Sequence, residues 1–380
     1  MPLSGTNLEH AKVHNRRVVI EAIRLRGQLT RAEIARITGL TPQTVSNITN
    51  SLEKLGWLKS HTPQKNGRGQ PAVPFSINPS GAYSIGIHLD QQTLIVIVTD
   101  LAGTPIERCA TILDSNEPQH VLAIIKNLLQ DIRHKNSFSW AKLLGIGWAM
   151  PGPFDVQGIT SQGPTTLHGW EKINGIQEIK DHFQLPVWLA NDATAAALGE
   201  HLYGTATQLQ SFIYLSVNKG LGAGLYLDGD VYDGFSHNAG EIGHIIVQPG
   251  GRLCFCGNHG CLERYLSLQA AYELCGLDAS ATPDDLLQLS DARLEPWLET
   301  TVDVTRQAIN IIECMFDAQA IVFGGLIPEK ILKKLVARLE PLHRSVREKM
   351  PFERRVLIGQ TGQDTVALGA AALPIMKTHE

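Results

Sequence analysis

Four side chains packed into a short stretch of this chain could hold a metal ion: His244, Cys254, Cys256 and Cys261. They are spaced H-x9-C-x-C-x4-C. One imidazole and three thiolates make a complete tetrahedral set for Zn2+. Gly257 and Gly260 supply the backbone freedom that draws the thiols together. The same residues could instead form a disulfide staple, or a Gly-rich loop that happens to carry cysteines. The N-terminus has no apolar leader, and no apolar run reaches the ~20 residues that span a bilayer. A reducing, cytoplasmic location without membrane insertion is therefore expected, and there clustered thiols favour metal over disulfide. One structural zinc per chain is the expectation. His259 is the competing imidazole, but its place inside the loop between Cys256 and Cys261 makes the same ion harder to reach. Cys109, Cys275 and Cys314 are scattered and read as core residues.

The elements around this cluster fall into two regions of opposite charge. The chain has 380 residues and a net charge of -4. Residues 1–70 hold eleven basic and four acidic side chains, leaving 22 basic and 33 acidic in the rest. A basic head on an acidic body suits a polyanion-binding module, or else a charged helix surface in water. The pattern of residues 14–60 favours the first. "HNRRVVIEAIRLRG" is a helix stopped by glycine. "LTRAEIARITG" carries a capping box from Thr30 to Glu33 and ends at Gly39. In "LTPQTVSNITNSLEKLGWL", Thr41 caps a helix with Pro42 at its first position. Val45, Ile48, Leu52 and Leu55 are expected on its core face. Its other face presents Gln43, Thr44, Ser46 and Asn47, short polar side chains suited to base edges in a major groove. Residues 57–78 follow as a two-stranded wing. Arg68, between glycines in "NGRGQPA", could enter a minor groove or simply belong to a flexible hinge.

From residue 82 strands alternate with helices, as in layered α/β folds. "YSIGIHLDQQTLIVIVTDLAG" and "SFIYLSVNKGLGAGLYLDG" both read as hairpins, and the second echoes the first. "PVWLANDATAAALGEHLYG" reads as a strand and an Ala-rich helix. A duplicated, two-lobed body around a cleft follows. The expected division is a winged helix-turn-helix head with linker at 1–80 and an effector body at 81–380. The body's lobes would be about 81–190 plus the C-terminal helix, and 191–360.

Several stretches, in this order and spacing, carry a family resemblance: "PGPFD", "NDATAAALGE", "KGLGAGLYLDG", "AGEIGH" with "CFCGNHGCLE", and "VFGG". The chain resembles the ROK family (repressors, open reading frames and sugar kinases) of the actin-like ATPase superfamily, including its N-acetylglucosamine, xylose and glucose repressors. The resemblance implies a structural zinc at the His/Cys cluster. It implies sugar contacts at Asn191, Asp192, Glu241, His244 and Glu263. His244 would give one ring nitrogen to zinc and the other to sugar, and Asp192 holds the place of the kinases' general base. The family's "PNL" step is replaced by "GPTTLHGW", with Thr165 or Thr166 near its asparagine.

The kinase chemistry of the family needs phosphate loops that this sequence lacks in part. The first loop, D-x-G-G-T in the kinases, corresponds to "GIHLDQQTL". His88 replaces the aspartate, while Asp90, Gln91 and Gln92 replace Gly-Gly-Thr, side chains that repel or block phosphate. In the second loop Asn218 and Lys219 stand for Gly-Thr. No catalytic activity is expected, with residual sugar kinase activity the alternative. The expected function is a sugar- or sugar-phosphate-gated regulator that binds operator DNA as a homodimer or tetramer. Control by a sugar-transport protein is a further alternative.

Overall fold

The structure is a computed structural model, and it describes residues 8–63, 71–152, 167, 169–170, 174–235, 238–278, 280–346 and 354–378. The head is built from α1 (Leu8–Arg26), β1 (Leu29–Thr30), α2 (Arg31–Thr38), α3 (Pro42–Lys54), β2 (Leu58–Ser60) and β3 (Pro74–Ile77). The local signals act as read. Gly27 turns left-handed after α1. Thr30 and Glu33 exchange both capping-box hydrogen bonds, and Gly39 closes α2 at φ 70°. Thr41 caps α3 through Thr44 N. β3 pairs antiparallel with both β1 and β2, giving the wing its sheet. Val45 and Leu52 are buried, but Leu55 is 42% exposed. It is the C-cap of α3, where the helical face gives way to the turn at Gly56.

The body contains two sheets of the same topology. The first joins β4 (Tyr83–Leu89), β5 (Thr93–Asp100) and β6 (Pro105–Ile112) to β7 (Leu143–Met150) and β8 (Val187–Asn191). α4 (Pro118–Lys135) and α5 (Gly175–Phe183) belong to this half. α6 (Asp192–Tyr203) then leads to the second sheet, which comprises β9 (Phe212–Val217), β10 (Leu221–Leu227), β11 (Asp230–Val231), β12 (Ala320–Gly325) and β13 (Val356–Thr361). Helices α7 (Leu268–Leu274), α8 (Pro283–Leu287), α9 (Asp291–Phe316) and α10 (Glu329–Arg338) lie in that half, and α11 (Asp364–Lys377) ends the fold. The strand orders are β6-β5-β4-β7-β8 and β11-β10-β9-β12-β13. Each is a three-stranded meander followed by two parallel strands, so the echo between the two hairpins extends to whole sheets.

Small residues let the central helices approach. A Cβ at Gly369 of α11 would lie 1.7 Å from the carbonyl oxygen of Ala195 in α6, and one at Gly86 of β4 would lie 1.9 Å from that of Ala367. α6 and α11 therefore meet backbone to backbone, and α11 lies against the first sheet. Cys275 is buried and Cys109 partly so, but Cys314 is exposed. It sits near the end of α9, on a face turned from the core. Among the described residues no helix is long and apolar enough to cross a membrane.

Candidate functional site

The His/Cys cluster assembles from a short turn and a loop. Gly240, at φ 101°, starts the 3-10 turn Glu241–His244. The loop folds back through two bridges, Ile246 with Cys261 and Leu253 with His259. Gly257 and Gly260 take φ of 90° and 83°. At Gly260 a Cβ would also strike the carbonyl oxygen of Gln248, so glycine is required there. One ligand atom from each of His244, Cys254, Cys256 and Cys261 lies within 4.8 Å of the others. Cys254 Sγ is 3.6 Å from His244 Nδ1, and Cys256 Sγ is 3.6 Å from Cys261 Sγ. A tetrahedral ion with bonds of about 2.3 Å to sulfur and 2.0 Å to nitrogen needs separations of this size. Burial and the neighbouring thiols push the Cys261 thiol up to about 12. Such crowded thiols suit a cation that displaces their protons. His259 turns elsewhere, its Nδ1 lying 3.0 Å from the carbonyl oxygen of Gly251.

Next to the cluster a cavity of about 440 Å3 opens between the two halves of the body. Asn191, Asp192, Glu241, His244 and Glu263 all line it. Asn191 caps α6, accepting from Ala193 N at 2.9 Å, and so fixes the next residue, Asp192, at the helix N-terminus. Burial, then the charge of Asp90, then that of Glu241 hold the Asp192 carboxyl up to about 7. His244 directs Nδ1 to Cys254, while its Nε2 lies 3.8 Å from Glu241 Oε2 on the cleft side. Glu263 accepts from Leu221 N at 2.9 Å. Burial raises the carboxyls of Glu241 and Glu263 as well. The wall is thus rich in carboxylates and amides that can accept from hydroxyls, with an imidazole oriented from behind. Thr165 and Thr166 lie outside the described residues.

The two loops that differ from the kinase pattern both fold over this cavity. Asp90 N donates to Thr93 O at 2.8 Å, closing the β4–β5 turn, and Asp90 Oδ1 accepts from Gln91 N at 2.7 Å. Asp90 and Gln91 line the cavity. His88 is buried beneath them, its Nδ1 without a hydrogen-bond partner among the described residues. In the second half Asn218 does what sequence reading did not foresee. Its Oδ1 accepts from Leu326 N at 2.8 Å and its Nδ2 donates to Ser216 Oγ at 3.1 Å. The loop is thereby stitched to the end of β12, across the Gly324–Gly325 pair. The Asp90 carboxylate opposes a polyphosphate at the first loop, while Lys219, next to Asn218, also lines the cavity.

On the head, Thr41, Gln43 and Asn47 are exposed, with Thr44 and Ser46 partly so. Gln43 Nε2 donates to Asn47 Oδ1 at 3.1 Å, and the Thr41 and Thr44 hydroxyls are 2.9 Å apart. The first two turns of α3 therefore present one polar ridge. Arg68 lies outside the described residues.

The head grips the body where α6 ends. Glu21 of α1 meets buried His201 Nε2. The His201 ring stacks on Tyr226, centroids 4.2 Å apart, and its Nδ1 lies 3.2 Å from Ala206 O. Arg24 donates to Leu202 O and stands 5.5 Å over the Tyr203 ring. Arg17 pairs with Asp230 at 2.7 Å and donates to Gly229 O at 3.0 Å. Burial would raise the Glu21 carboxyl, but the His201 hydrogen bond and charge bring it below its ordinary value.

A winged helix-turn-helix set on a duplicated, sugar-kinase-like body with a His/Cys3 cluster at its cleft defines the class. The chain belongs to the ROK family, which it matches over residues 84–377. Residues 18–69 match the MarR family. The chain is 27% identical over 365 residues to the xylose repressor of Bacillus subtilis, covering 95% of this chain and 94% of that one. Its fold is that of a ROK family transcriptional regulator, a homologue of the E. coli MLC protein, with a TM-score of 0.77 at 24% identity, covering 97% and 96% of the two chains. The body also shares its fold with a ROK hexokinase from Thermus thermophilus, at a TM-score of 0.63 and 24% identity, over 76% of this chain and 96% of that one.

Proposed function

We propose that this chain is a sugar-responsive transcriptional repressor whose hold on operator DNA is set by the ligand in its interlobe cleft. Residues 1–80 serve as the DNA-binding head and 81–380 as the effector body. The observation that carries the reading is the course of α6. Its N-terminus sets Asn191 and Asp192 in the cleft, and its last turn is held by α1 of the head. Twelve helical residues span about 18 Å as one rigid rod. A ligand that changes the lobe angle shifts α6 and the β10–β11 turn, which together form the seat of α1 through His201, Leu202, Gly229 and Asp230. Asn191, Asp192, Glu241, His244 and Glu263 bind the sugar hydroxyls; Thr41, Gln43, Thr44, Ser46, Asn47 and Arg68 contact operator DNA.

One zinc per chain, held by His244, Cys254, Cys256 and Cys261, fixes the loop and orients His244. The metal supplies structure here, and the imidazole's free nitrogen does the recognition. Two heads must meet two half-sites, so a homodimer or tetramer is the binding form. Phosphoryl transfer is disfavoured by Asp90 at the first loop.

The test is a DNA-binding titration. Sites selected from random DNA by the zinc-loaded full-length protein are titrated in the presence of pentoses, hexoses, amino sugars and their phosphates. One sugar should weaken DNA binding at least tenfold, a coupling in the usual range for two linked sites. DNA affinity indifferent to every sugar, with no saturable sugar binding, would refute the reading and favour control by a protein such as a sugar-transport component.

A further inference from the structure

Among the described residues that line the cleft, one large apolar side chain is exposed. Phe255 lies between two metal-cluster thiols, Cys254 and Cys256. It is 61% exposed, an unusual position for a phenyl ring. Cys254 and Cys256 both belong to the cluster, and the intervening side chain lies on its cavity side. Phe255 lines the cavity, and its ring meets the His244 ring edge-on, with centroids 5.2 Å apart and planes at 78°. Ile246 and Leu253 of the same loop are also exposed, but they do not line the cavity. A surface patch for a partner would use all three; a ligand contact uses Phe255 alone.

Apart from Pro151 and the buried Leu221, the remaining lining is polar or small, with carboxylates at Asp192, Glu241 and Glu263 and an amide at Asn191. These groups satisfy hydroxyls. They offer nothing to the C–H face that every pyranose also carries. An aromatic face, electron-rich and apolar, is the complement of that surface. We infer that Phe255 is the platform on which the sugar's C–H face stacks, held in position by the metal loop that flanks it on both sides. The inference rests on the sugar-effector reading above and adds a specificity-determining contact to it. It also gives the cluster a second task, since an ion drawing in Cys254 and Cys256 sets the ring at the cleft mouth.

Zinc-loaded, full-length wild type and the variants Phe255→Ala and Phe255→Trp are titrated calorimetrically with D-xylose, D-glucose and N-acetyl-D-glucosamine. Zinc per chain is measured in each. The expected result is that Phe255→Ala binds the wild-type's sugar about tenfold more weakly, as loss of one aromatic contact implies. Phe255→Trp should restore affinity to within about threefold, and its indole emission should change on saturation. All three proteins should retain equal zinc. Unchanged affinity in Phe255→Ala would overturn the inference while leaving the sugar reading intact; if the oligomeric state shifted instead, the ring would belong to an interface between copies. Weakened binding that tracks lost zinc, without rescue by tryptophan, would also overturn it, as a purely structural role. A wild type that binds neither these three sugars nor any sugar or sugar phosphate of the DNA-binding panel would remove both the inference and the reading beneath it.

Discussion

His244 faces two ways, and much of the site's chemistry follows from that. Its Nδ1 is directed at Cys254 and its Nε2 at the cleft, beside Glu241. Removing the metal with a chelator should therefore lower sugar affinity as well as thermal stability, and Cys256→Ser should do the same. Calorimetry and melting curves on the same samples would check both. Asp192 allows a sharper test. Its folded-state value, about 7, exceeds the ordinary carboxylate value near 4. The folded chain thus holds an extra proton between about pH 4 and pH 7, and stability falls as pH rises through that window. Asp192→Asn should raise the melting temperature at pH 8 by about 2–4 °C, the size expected for roughly 1 kcal/mol. The gain should vanish toward pH 4, and sugar affinity should fall in the same variant. An unaltered melting temperature at pH 8 would mean that Asp192 carries no such cost. At this scale the His/Cys cluster was legible because its members lie close in sequence. The Asn218 stitch was not: its partner, Leu326, is 108 residues away, and nothing local marks the pair.

Among the elements, α6 and the segments at its two ends carry the proposed link between cleft and head. Its start was legible, since an Asn–Asp step before an Ala-rich run is a strong N-cap. Its end was not. Glu21 meets its partner His201 180 residues later in the chain, and nothing near either residue marks the pair. The capping box at Thr30 and the turn at Gly39 formed as read because both are local; Leu55 departed from its helical stripe because the helix ends beneath it. Glu21→Gln should leave sugar affinity within about twofold of wild type, since it lies outside the cleft. It should reduce the sugar-induced loss of DNA affinity by about threefold or more, within the range of ordinary coupling energies. Anisotropy titrations with and without saturating sugar would measure this, and an intact sugar response would place the transmission elsewhere. Gly369→Val is expected to destabilise the whole body by about 3 kcal/mol or more, because its side chain would be driven into the backbone of α6. Denaturant unfolding would report that as a lower midpoint.

On the scale of the whole molecule, the chain joins a basic head to an acidic body built from two like sheets. The duplication was visible in the sequence as two similar hairpins, because each is an apolar run, a short polar turn and a second apolar run that closes at glycine, Gly103 in one and Gly229 in the other. The clasp between head and body, and the backbone contact of α6 with α11, depend on packing between distant segments and left no periodic trace. The cleft of the body is lined by carboxylates and amides, with Asp90 at its first loop. The central claim is that this cleft reports to the head through α6. It is tested most directly by measuring DNA affinity of zinc-loaded wild type and Asp192→Ala as a function of sugar, with and without ATP and Mg2+. The account requires that one sugar weakens DNA binding by wild type, that Asp192→Ala stays bound to DNA at the same sugar concentration, and that ATP changes neither curve. A sugar response that persists in Asp192→Ala, or one that appears only with ATP and is accompanied by its turnover, would contradict it.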